Sequence, residues 1–416
     1  MPLGYTGEVR AAACLARPLG QLPRVNRAIF HEAFGVMAAL QGEPVGDWLR
    51  DTVPPHAGWC LQRVRQGARL RMIFSRILVR ATNWVGDAVI SLPALRALRD
   101  RFPQAQLDVL ARPWVADLYA RESCCHRLIP YAVPGGWEGW RERWKLAREL
   151  RRDHYDCALL LTNSFETALF ARMAGIPARI GYDRNGRGFL LTQPVTPPAP
   201  GEIPAEERYY YLELLRRAGF MSEFPAGEPI LLEGTEEAAK AGTERFRAGG
   251  IALPVIGVSP GATNSRAKQW LPERFAASAC RVAAELSAAV VLFGSDSERA
   301  QCEHVAGLIR QAGYGAHNLA GATCLSEFIE LAAACRVFIT NDSGAMHVAS
   351  ACGVPTVAIY GPTNELATPP SGPRTAVVRE PVECMRCMFR DCPIDHRCMT
   401  LVSAERVAKA ALELVK

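Results

Sequence analysis

Short apolar runs alternate with helical patterns along the chain from residue 73 onwards. The run RILVRA at 76–81 is followed by a helical pattern at 92–102 and by another strand-like run at 106–111. Short apolar runs flanked by helices are typical of parallel strands that are buried on both faces. The pattern therefore predicts an α/β fold with doubly wound parallel sheets.

A proline-rich stretch, PVTPPAPGEIP at 194–204, interrupts this alternation, which restarts after a predicted helix at 206–219. Such a stretch is typical of a junction between domains. We therefore predict an N-terminal Rossmann-like domain at 72–225, a second one at 226–402, and a C-terminal helix at 403–416 that packs back across the molecule. Two such units enclose a cleft, and ligands bind at the carboxyl ends of their strands.

Residues 1–71 differ from the rest of the chain because they are rich in Arg, Pro and Gly and show little periodicity. We interpret them as an extension of uncertain order, and a short helix at 28–40 is the structural alternative. They contain nine Arg, no Lys and five acidic residues, so they hold most of the formal net charge of +6. The remaining 39 basic and 37 acidic residues nearly balance, which does not fit a nucleic-acid-binding protein.

The other bulk properties indicate a cytoplasmic protein. No apolar run approaches the roughly 20 residues that span a bilayer, and the N-terminus lacks the pattern of a secretory signal peptide. The fourteen cysteines are scattered, often within predicted helices and strands. Buried thiols in a reducing compartment explain this scatter better than a disulfide framework does.

Loops at the ends of predicted strands carry the candidate chemistry, and NDSGAMH at 341–347 is one of them. Asp342 and Ser343 are good N-cap residues, and Gly344 lets another group approach the backbone closely. The free N–H groups of the first helical turn, with the helix dipole, form a site for a phosphate that His347 could also reach. An ordinary capped helix with a satisfied histidine is the alternative.

Two further loops add polar groups at neighbouring strand ends. The loop SPGATNSRAKQW offers Thr263, Ser265, Arg266 and Lys268. Its hydroxyls and ammonium group suit a diphosphate, and a plain surface loop is the alternative. In FGSDSERA, Asp296 and Glu298 could hold a ribose diol or simply favour the start of the following helix. No GxxxxGK[ST] sequence occurs and no GxGxxG follows a strand, which argues against a P-loop ATPase and an ordinary nicotinamide dehydrogenase.

Together these loops predict a nucleotide-diphosphate site that lacks a P-loop. Asp87, in the loop NWVGDA just past the first predicted strand, would face this site from the other domain. A solvent-facing loop aspartate is the alternative interpretation of this residue.

The chain resembles the lipopolysaccharide heptosyltransferases of glycosyltransferase family 9, most closely their type II branch, over about 73–416. Four stretches carry the resemblance in order along the chain: ILVRATNWVGDAVISLPALRALR, NSFETALFARMAGIPARIGYDRNGRGFLLT, SPGATNSRAKQWLPERF and TNDSGAMHVASACGVPTVAIYGPT. The resemblance implies a GT-B fold and an inverting transfer of heptose from ADP-L-glycero-D-manno-heptose. The implied acceptor is the first inner-core heptose on Kdo–lipid A, at the cytoplasmic face of the inner membrane, where the enzyme would be peripheral.

The resemblance also implies roles for particular residues. The family's catalytic carboxylate falls on Asp87, its phosphate-binding lysine on Lys268 and its ribose-binding glutamate on Glu298. The donor-binding set then comprises Thr263, Ser265, Lys268, Glu298, Asp342, Ser343, Gly344 and His347. Asp87 can act as the general base, and Lys268 and His347 can stabilise the departing ADP. No DxD-like metal pair is evident, so we expect a mechanism without a metal or other cofactor.

Three features have weaker interpretations. Arg184 and Arg187, in GYDRNGRG, are candidates for contact with the acidic acceptor. The helical pattern at 136–152 has Trp140, Trp144, Ala147 and Leu150 near one face. It either meets a lipid surface or packs on its sheet, and we favour the packing on the sheet. The spacing of four cysteines suits either a structural zinc or, as we prefer, free thiols; they are Cys384, Cys387, Cys392 and Cys398.

Two alternatives to the type II function remain open from the sequence. One is another ADP-heptose-dependent transferase that adds the first or a later heptose or uses a different acceptor. The other is a two-domain ligand-binding protein without catalysis, against which the joint presence of Asp87 and Lys268 argues.

Overall fold

The computed structural model describes residues 73–133, 136–263 and 265–416. Within these residues the chain forms two six-stranded sheets in which all strand pairings are parallel. The predicted α/β fold with two doubly wound parallel sheets is therefore confirmed. The N-terminal extension at 1–71 and its alternative helix at 28–40 lie outside the described residues.

The first sheet and the helices that cover it form the first half of the molecule. Its strands are β1 Arg76–Arg80, β2 Gln106–Ala111, β3 Arg127–Pro130, β4 Cys157–Leu160, β5 Ala178–Tyr182 and β6 Gln193–Val195. Its helices are α1 Val85–Arg101, α2 Pro113–Tyr119, α3 Gly136–Arg151, α4 Phe165–Met173 and α5 Arg208–Arg217.

The second sheet and its helices form the second half. Its strands are β7 Val255–Ser259, β8 Ala289–Leu292, β9 Ala316–Asn318, β10 Val337–Asn341, β11 Thr356–Ile359 and β12 Thr375–Val378. Its helices are α6 Thr235–Ala248, α7 Pro272–Leu286, α8 Arg299–Gln311, α9 Leu325–Ala333, α10 Gly344–Ala351, α11 Arg397–Thr400 and α12 Ala404–Leu414.

The two sheets share one topology. The first has the strand order β3-β2-β1-β4-β5-β6, and the second has the corresponding order β9-β8-β7-β10-β11-β12. In each sheet the order reverses between the first and fourth strands, which are β1 and β4 in one half and β7 and β10 in the other. Ligands of open parallel sheets bind at such reversal points, outside the carboxyl ends of the strands.

The halves meet where the N-terminal turns of α1 and α10 cross. A Cβ atom on Gly344 would lie 3.3 Å from Cβ of Val85, and one on Gly86 would lie 2.9 Å from Cδ2 of His347. Glycine at both positions therefore allows the two backbones to approach closely. A continuous apolar core also spans both halves, from Val89 on α1 to Val348 on α10.

The helices that flank the junction pack against helices of different halves. The helix α5 packs against α1 of the first half, whereas α6 packs against α9 of the second. We therefore propose that the domain boundary lies between these helices, near residue 225. The proline-rich stretch at 194–204 belongs to the first half, because it begins within β6, an edge strand in which proline is tolerated.

Two further local expectations differ from the structure. Gly86 and Asp87 belong to the first turn of α1 rather than to a loop, because this helix begins at Val85. The last helix, α12, packs on α7 and on β10, β11 and β12 of its own half. Its buried face, which includes Val407 and Ala411, joins the core of the second sheet, so we find it there and not across the first half.

Candidate active site

A cleft of about 550 Å³ lies between the two halves, at the carboxyl ends of their strands. The first half contributes the start of α1, and the second half contributes the loops that follow β7, β8 and β10. The cleft is lined by all nine residues that the sequence predicts for catalysis or donor binding: Asp87, Thr263, Ser265, Lys268, Glu298, Asp342, Ser343, Gly344 and His347.

Asp87 is the third residue of α1 and is partly buried. An acidic residue in the first turn of a helix also interacts favourably with the helix dipole, so the local sequence alone does not require a catalytic role. Burial raises the pKa of the Asp87 carboxyl to about 6, and the positive charge of Lys268 opposes this shift. The carboxyl is thus ionised at neutral pH but more basic than an exposed aspartate.

Hydrogen bonds of a buried asparagine hold the loops of the second half in place. Asn341, at the end of β10, donates from Nδ2 to the carbonyl oxygen of Pro260 at 2.7 Å and accepts from the N–H of Trp270 at 3.1 Å. These contacts fix the loop after β7 against β10. Lys268, carried by this loop, places Nζ 2.7 Å from Oδ2 of Asp342.

The start of α10 presents unused hydrogen-bond donors to the cleft. Ser343 is the N-cap residue, but its side chain makes no capping hydrogen bond, so the N–H groups of the first turn stay available to an anion. His347 is buried, and its Nδ1 has no hydrogen-bond partner. Burial lowers the pKa of His347 to about 4, so the imidazole is neutral and can donate one hydrogen bond.

Glu298 caps the short helical turn after β8 and also lines the cleft, and its contact with a ribose stays a prediction. Its Oε2 accepts from the N–H of Ser295 at 2.8 Å, as in a capping box, and its Oε1 accepts from Oγ1 of Thr263 at 3.1 Å. Gly261 makes room for this carboxylate, because a Cβ there would lie 2.2 Å from Oε1 of Glu298. The carboxylate faces the cleft while it also caps the short helical turn at 296–298.

Ser265 lines the cleft with its hydroxyl group already engaged. Its Oγ donates to the carbonyl oxygen of Arg390 at 3.1 Å. This hydrogen bond ties the loop after β7 to the segment 384–398, which contains four cysteines. Thr263 is exposed on the same loop.

The prediction that Arg187 contacts the acceptor is wrong. Its side chain is fully buried, and its guanidinium donates to the carbonyl oxygens of Tyr182, Thr162 and Ser164. Arg187 therefore holds the loops after β4 and β5 together. Arg184 is exposed and is not among the residues that line the cleft, so its contact with the acceptor stays a prediction.

Sequence reasoning missed several groups around the cleft. Trp84 and Trp114 line it with more than half of each side chain exposed, and Phe328 lines it from the second half. Glu207 lies close enough to Asp87 for their charges to interact. Burial and the charge of Asp87 raise the pKa of Glu207 to about 7. The sequence around Glu207 shows only the start of a helix.

The helix α3 packs on its sheet, as we favoured. Trp140, Ala147 and Leu150 belong to a core that also includes residues of β1, β2 and β4. These three residues are thus turned toward the sheet, whereas Trp144 is partly buried and its ring centroid lies 4.5 Å from the guanidinium carbon of Arg148.

The four cysteines of the segment 384–398 lie near one another. Burial and the charges of the other three thiols raise the pKa of Cys398 to about 11. Across residues 73–133, 136–263 and 265–416, no group of three or more His, Cys, Asp or Glu side chains has an arrangement that could hold a metal ion. Our preference for free thiols over a structural zinc at these cysteines stays a prediction.

Among the helices of the described residues, none combines the length and the apolar character that crossing a bilayer requires.

Comparisons with known proteins identify the family to which the chain belongs. Residues 143–397 match the model of glycosyltransferase family 9 (heptosyltransferase). The chain is 36% identical over 313 residues to lipopolysaccharide heptosyltransferase 2 of Escherichia coli, which covers 73% of this chain and 88% of the relative. It is 32% identical over 311 residues to lipooligosaccharide heptosyltransferase 2 of Haemophilus ducreyi, with the same coverage.

Solved structures give the same result. The ADP-heptose lipopolysaccharide heptosyltransferase II of Escherichia coli superimposes with a TM-score of 0.69 and 31% identity, over 82% of this chain and 98% of that one. A family 9 glycosyltransferase of Veillonella parvula, at 23% identity and a TM-score of 0.71 over 82% of this chain and 97% of that one, shares the fold. The chain therefore belongs to glycosyltransferase family 9, the heptosyltransferases, and is a glycosyltransferase.

Proposed function

We propose that this enzyme transfers L-glycero-D-manno-heptose from ADP-heptose to the first heptose of the lipopolysaccharide inner core. The observation that carries the proposal is the shared cleft, in which Asp87 of the first half lies within electrostatic reach of Lys268 of the second. The relatives named heptosyltransferase 2 support the type of acceptor. Because that acceptor is anchored in lipid, we propose that the enzyme works at the cytoplasmic face of the inner membrane.

The second half supplies a site for the ADP part of the donor. The N–H groups at the start of α10, the ammonium of Lys268 and the neutral imidazole of His347 can all donate to a diphosphate. The carboxylate of Glu298, at the end of the neighbouring strand β8, is suited to accept from the hydroxyls of a ribose. These groups contact the leaving group, so they stabilise the negative charge that ADP gains in the transition state.

Asp87 is the proposed general base. It takes the proton of the acceptor hydroxyl while the oxygen of that hydroxyl attacks the anomeric carbon of the heptose. The bond from this carbon to the phosphate oxygen breaks, and ADP leaves with the bonding electrons. Attack from the face opposite ADP inverts the anomeric centre, and no covalent enzyme intermediate is needed.

The alternatives differ in the acceptor or in the absence of a reaction. A type I or type III enzyme would use the same donor and a different acceptor, and a ligand-binding protein would retain ADP-heptose without turning it over. The test is to incubate the purified enzyme with ADP-heptose and a panel of truncated Kdo–lipid A acceptors, and to identify products by mass spectrometry. We expect a mass gain of one heptose on the acceptor that already bears one heptose. Transfer only to the heptose-free acceptor would assign the type I function instead, and binding without any product would remove the proposal.

A further inference from the structure

Arg112 contacts two aromatic rings, and one of them, Trp114, lines the cleft. Arg112 directly follows β2, and the carbon atom at the centre of its guanidinium lies 4.7 Å from the ring centroid of Tyr131 and 5.6 Å from that of Trp114. Its one hydrogen bond in the described part of the chain, from Nη1 to the carbonyl oxygen of Tyr131, is long at 3.4 Å. No carboxylate among the described residues forms an ion pair with it. Most of its N–H donors are therefore free to bind a ligand.

The surroundings of Arg112 are positively charged. Arg80 is buried, and its guanidinium carbon lies 5.0 Å from the centroid of the same Tyr131 ring. The carboxylate of this cluster, Glu166, is already bound by Nε of Arg143 at 2.7 Å and by the hydroxyl of Tyr131 at 2.6 Å. Three guanidinium groups thus surround one carboxylate, so the cluster is short of negative charge.

Trp114 connects this cluster to the reaction site. Its indole lines the cleft together with Asp87, and its Nε1 donates to the carbonyl oxygen of Asn83 at 2.8 Å, which fixes the ring. Asn83 lies in the loop between β1 and α1, so the loop that leads to Asp87 also supports this ring. Arg112 itself is not among the residues that line the cleft, but its guanidinium carbon lies 5.6 Å from the ring centroid of Trp114, which does line it.

We propose that Arg112, clamped between Trp114 and Tyr131, binds an oxyanion of the acceptor and so orients the acceptor hydroxyl toward Asp87. The anion is a phosphate or a carboxylate, because a planar guanidinium binds either with two parallel hydrogen bonds. The two rings restrict the rotation of the side chain, which lowers the entropy lost when the anion binds. The inference rests on the proposed function, because it assigns part of the acceptor site of that enzyme.

The test compares Arg112→Gln and Arg112→Lys with a matched control. Arg148→Gln is suitable, because the Arg148 guanidinium also lies on a tryptophan ring, 4.5 Å from the centroid of Trp144, and is exposed on α3. We expect Arg112→Gln to raise the KM for the acceptor by about tenfold, as for the loss of a charged hydrogen bond, and to leave the KM for ADP-heptose unchanged. Arg112→Lys recovers part of this loss, and Arg148→Gln behaves as the wild type. An unchanged acceptor KM in Arg112→Gln would overturn the proposal.

Modified acceptors identify the anion. One lacks its lipid phosphates, one carries methyl esters on its sugar-acid carboxylates, and one carries both changes. The modification that makes the acceptor KM of Arg112→Gln equal to that of the wild type identifies the group that Arg112 binds. A difference in KM that persists on the doubly modified acceptor would contradict the proposal. Binding of acceptor micelles to both variants without donor is measured in parallel. A wild type that binds the acceptor more tightly than Arg112→Gln but transfers nothing would refute the proposed function and leave this inference standing.

Discussion

The reactivity proposed for Asp87 arises from two opposing influences on one side chain. Burial favours the neutral acid, and the nearby Lys268 ammonium favours the carboxylate. The resulting pKa of about 6 gives a base that is ionised at neutral pH and still able to accept a proton. We therefore expect kcat/KM to fall as the pH drops through about 6, since protonated Asp87 cannot act as a base.

Replacement of Lys268 by Met should move the acidic limb of the pH profile, which is the pH range in which activity falls as Asp87 becomes protonated. Removal of the ammonium removes the influence that lowers the pKa of Asp87, so the limb should shift to higher pH by about one unit. The measurement is the pH profile of single-turnover transfer at saturating donor. Arg266→Gln is the control. Arg266 is a cation on the same loop, but it pairs with Asp391 and does not line the cleft. A limb that stays in place in Lys268→Met would disprove the electrostatic coupling.

The sequence could predict some of these residues better than others. Asp87, Lys268, Glu298 and His347 follow strands or open helices, and such positions gather at one edge of a parallel sheet. The sequence did not predict a role for Glu207, because its proximity to Asp87 depends on how α5 packs on α1. No local pattern reports that contact.

At the scale of whole elements, the crossing of α1 and α10 positions the two sets of reacting groups. The first turn of α1 carries Asp87, and the first turn of α10 presents its N–H groups. The alternation of apolar runs predicted both helices, but it could not show that their N-termini touch. The burial of Arg187 was equally hidden, because GYDRNGRG has the composition of a surface turn, while the contacts that bury it come from a distant loop.

Gly86→Ala should damage the crossing. The added methyl group would lie 2.9 Å from Cδ2 of His347, so the imidazole or the helix must move. We expect transfer to slow by about tenfold or more, because small displacements of reacting groups are costly. Turnover and the free energy of unfolding are measured together.

Gly307→Ala is the matched control for this variant. Gly307 lies within α8, and a Cβ there meets nothing within 4 Å. Alanine should therefore stabilise the protein by about 0.5–1 kcal/mol without altering turnover. Equal turnover in the two alanine variants would show that the crossing does not position the site.

At the scale of the whole molecule, one topology occurs twice, and the two copies are joined at the cleft. The N–H of Glu207 donates to the carbonyl oxygen of Ala367 at 2.8 Å, which links α5 of the first half to a loop of the second. The Glu207 carboxyl is partly buried and lies near the charge of Asp87. The packing at this junction thus buries one acidic group near another, at a cost in stability.

Glu207→Gln should reveal this cost as a pH-dependent gain in stability. The folded pKa of about 7 exceeds the ordinary value of 4.5, so the folded wild type binds more protons than the unfolded chain between these values. Its stability therefore falls as the pH rises through this window. The variant should exceed the wild type by on the order of 2 kcal/mol at pH 8 and by much less at pH 5.

Urea unfolding at both pH values measures this difference. Glu206→Gln serves as the control, since Glu206 belongs to the same turn and pairs with Arg208 at 2.6 Å. A gain for Glu207→Gln that is equal at both pH values would mean that ionisation of Glu207 does not oppose folding.

The central claim is that Asp87 performs the chemistry while the second half holds the donor, and the Asp87→Ala variant tests both parts. The decisive measurement is its single-turnover transfer rate, taken with the Kd for ADP-heptose determined by calorimetry on the same preparation. We predict that transfer falls by at least about 100-fold and that the donor Kd changes by less than about twofold, as expected when only a group acting in the transition state is lost. A folded Asp87→Ala variant that transfers heptose at nearly the wild-type rate would contradict the account.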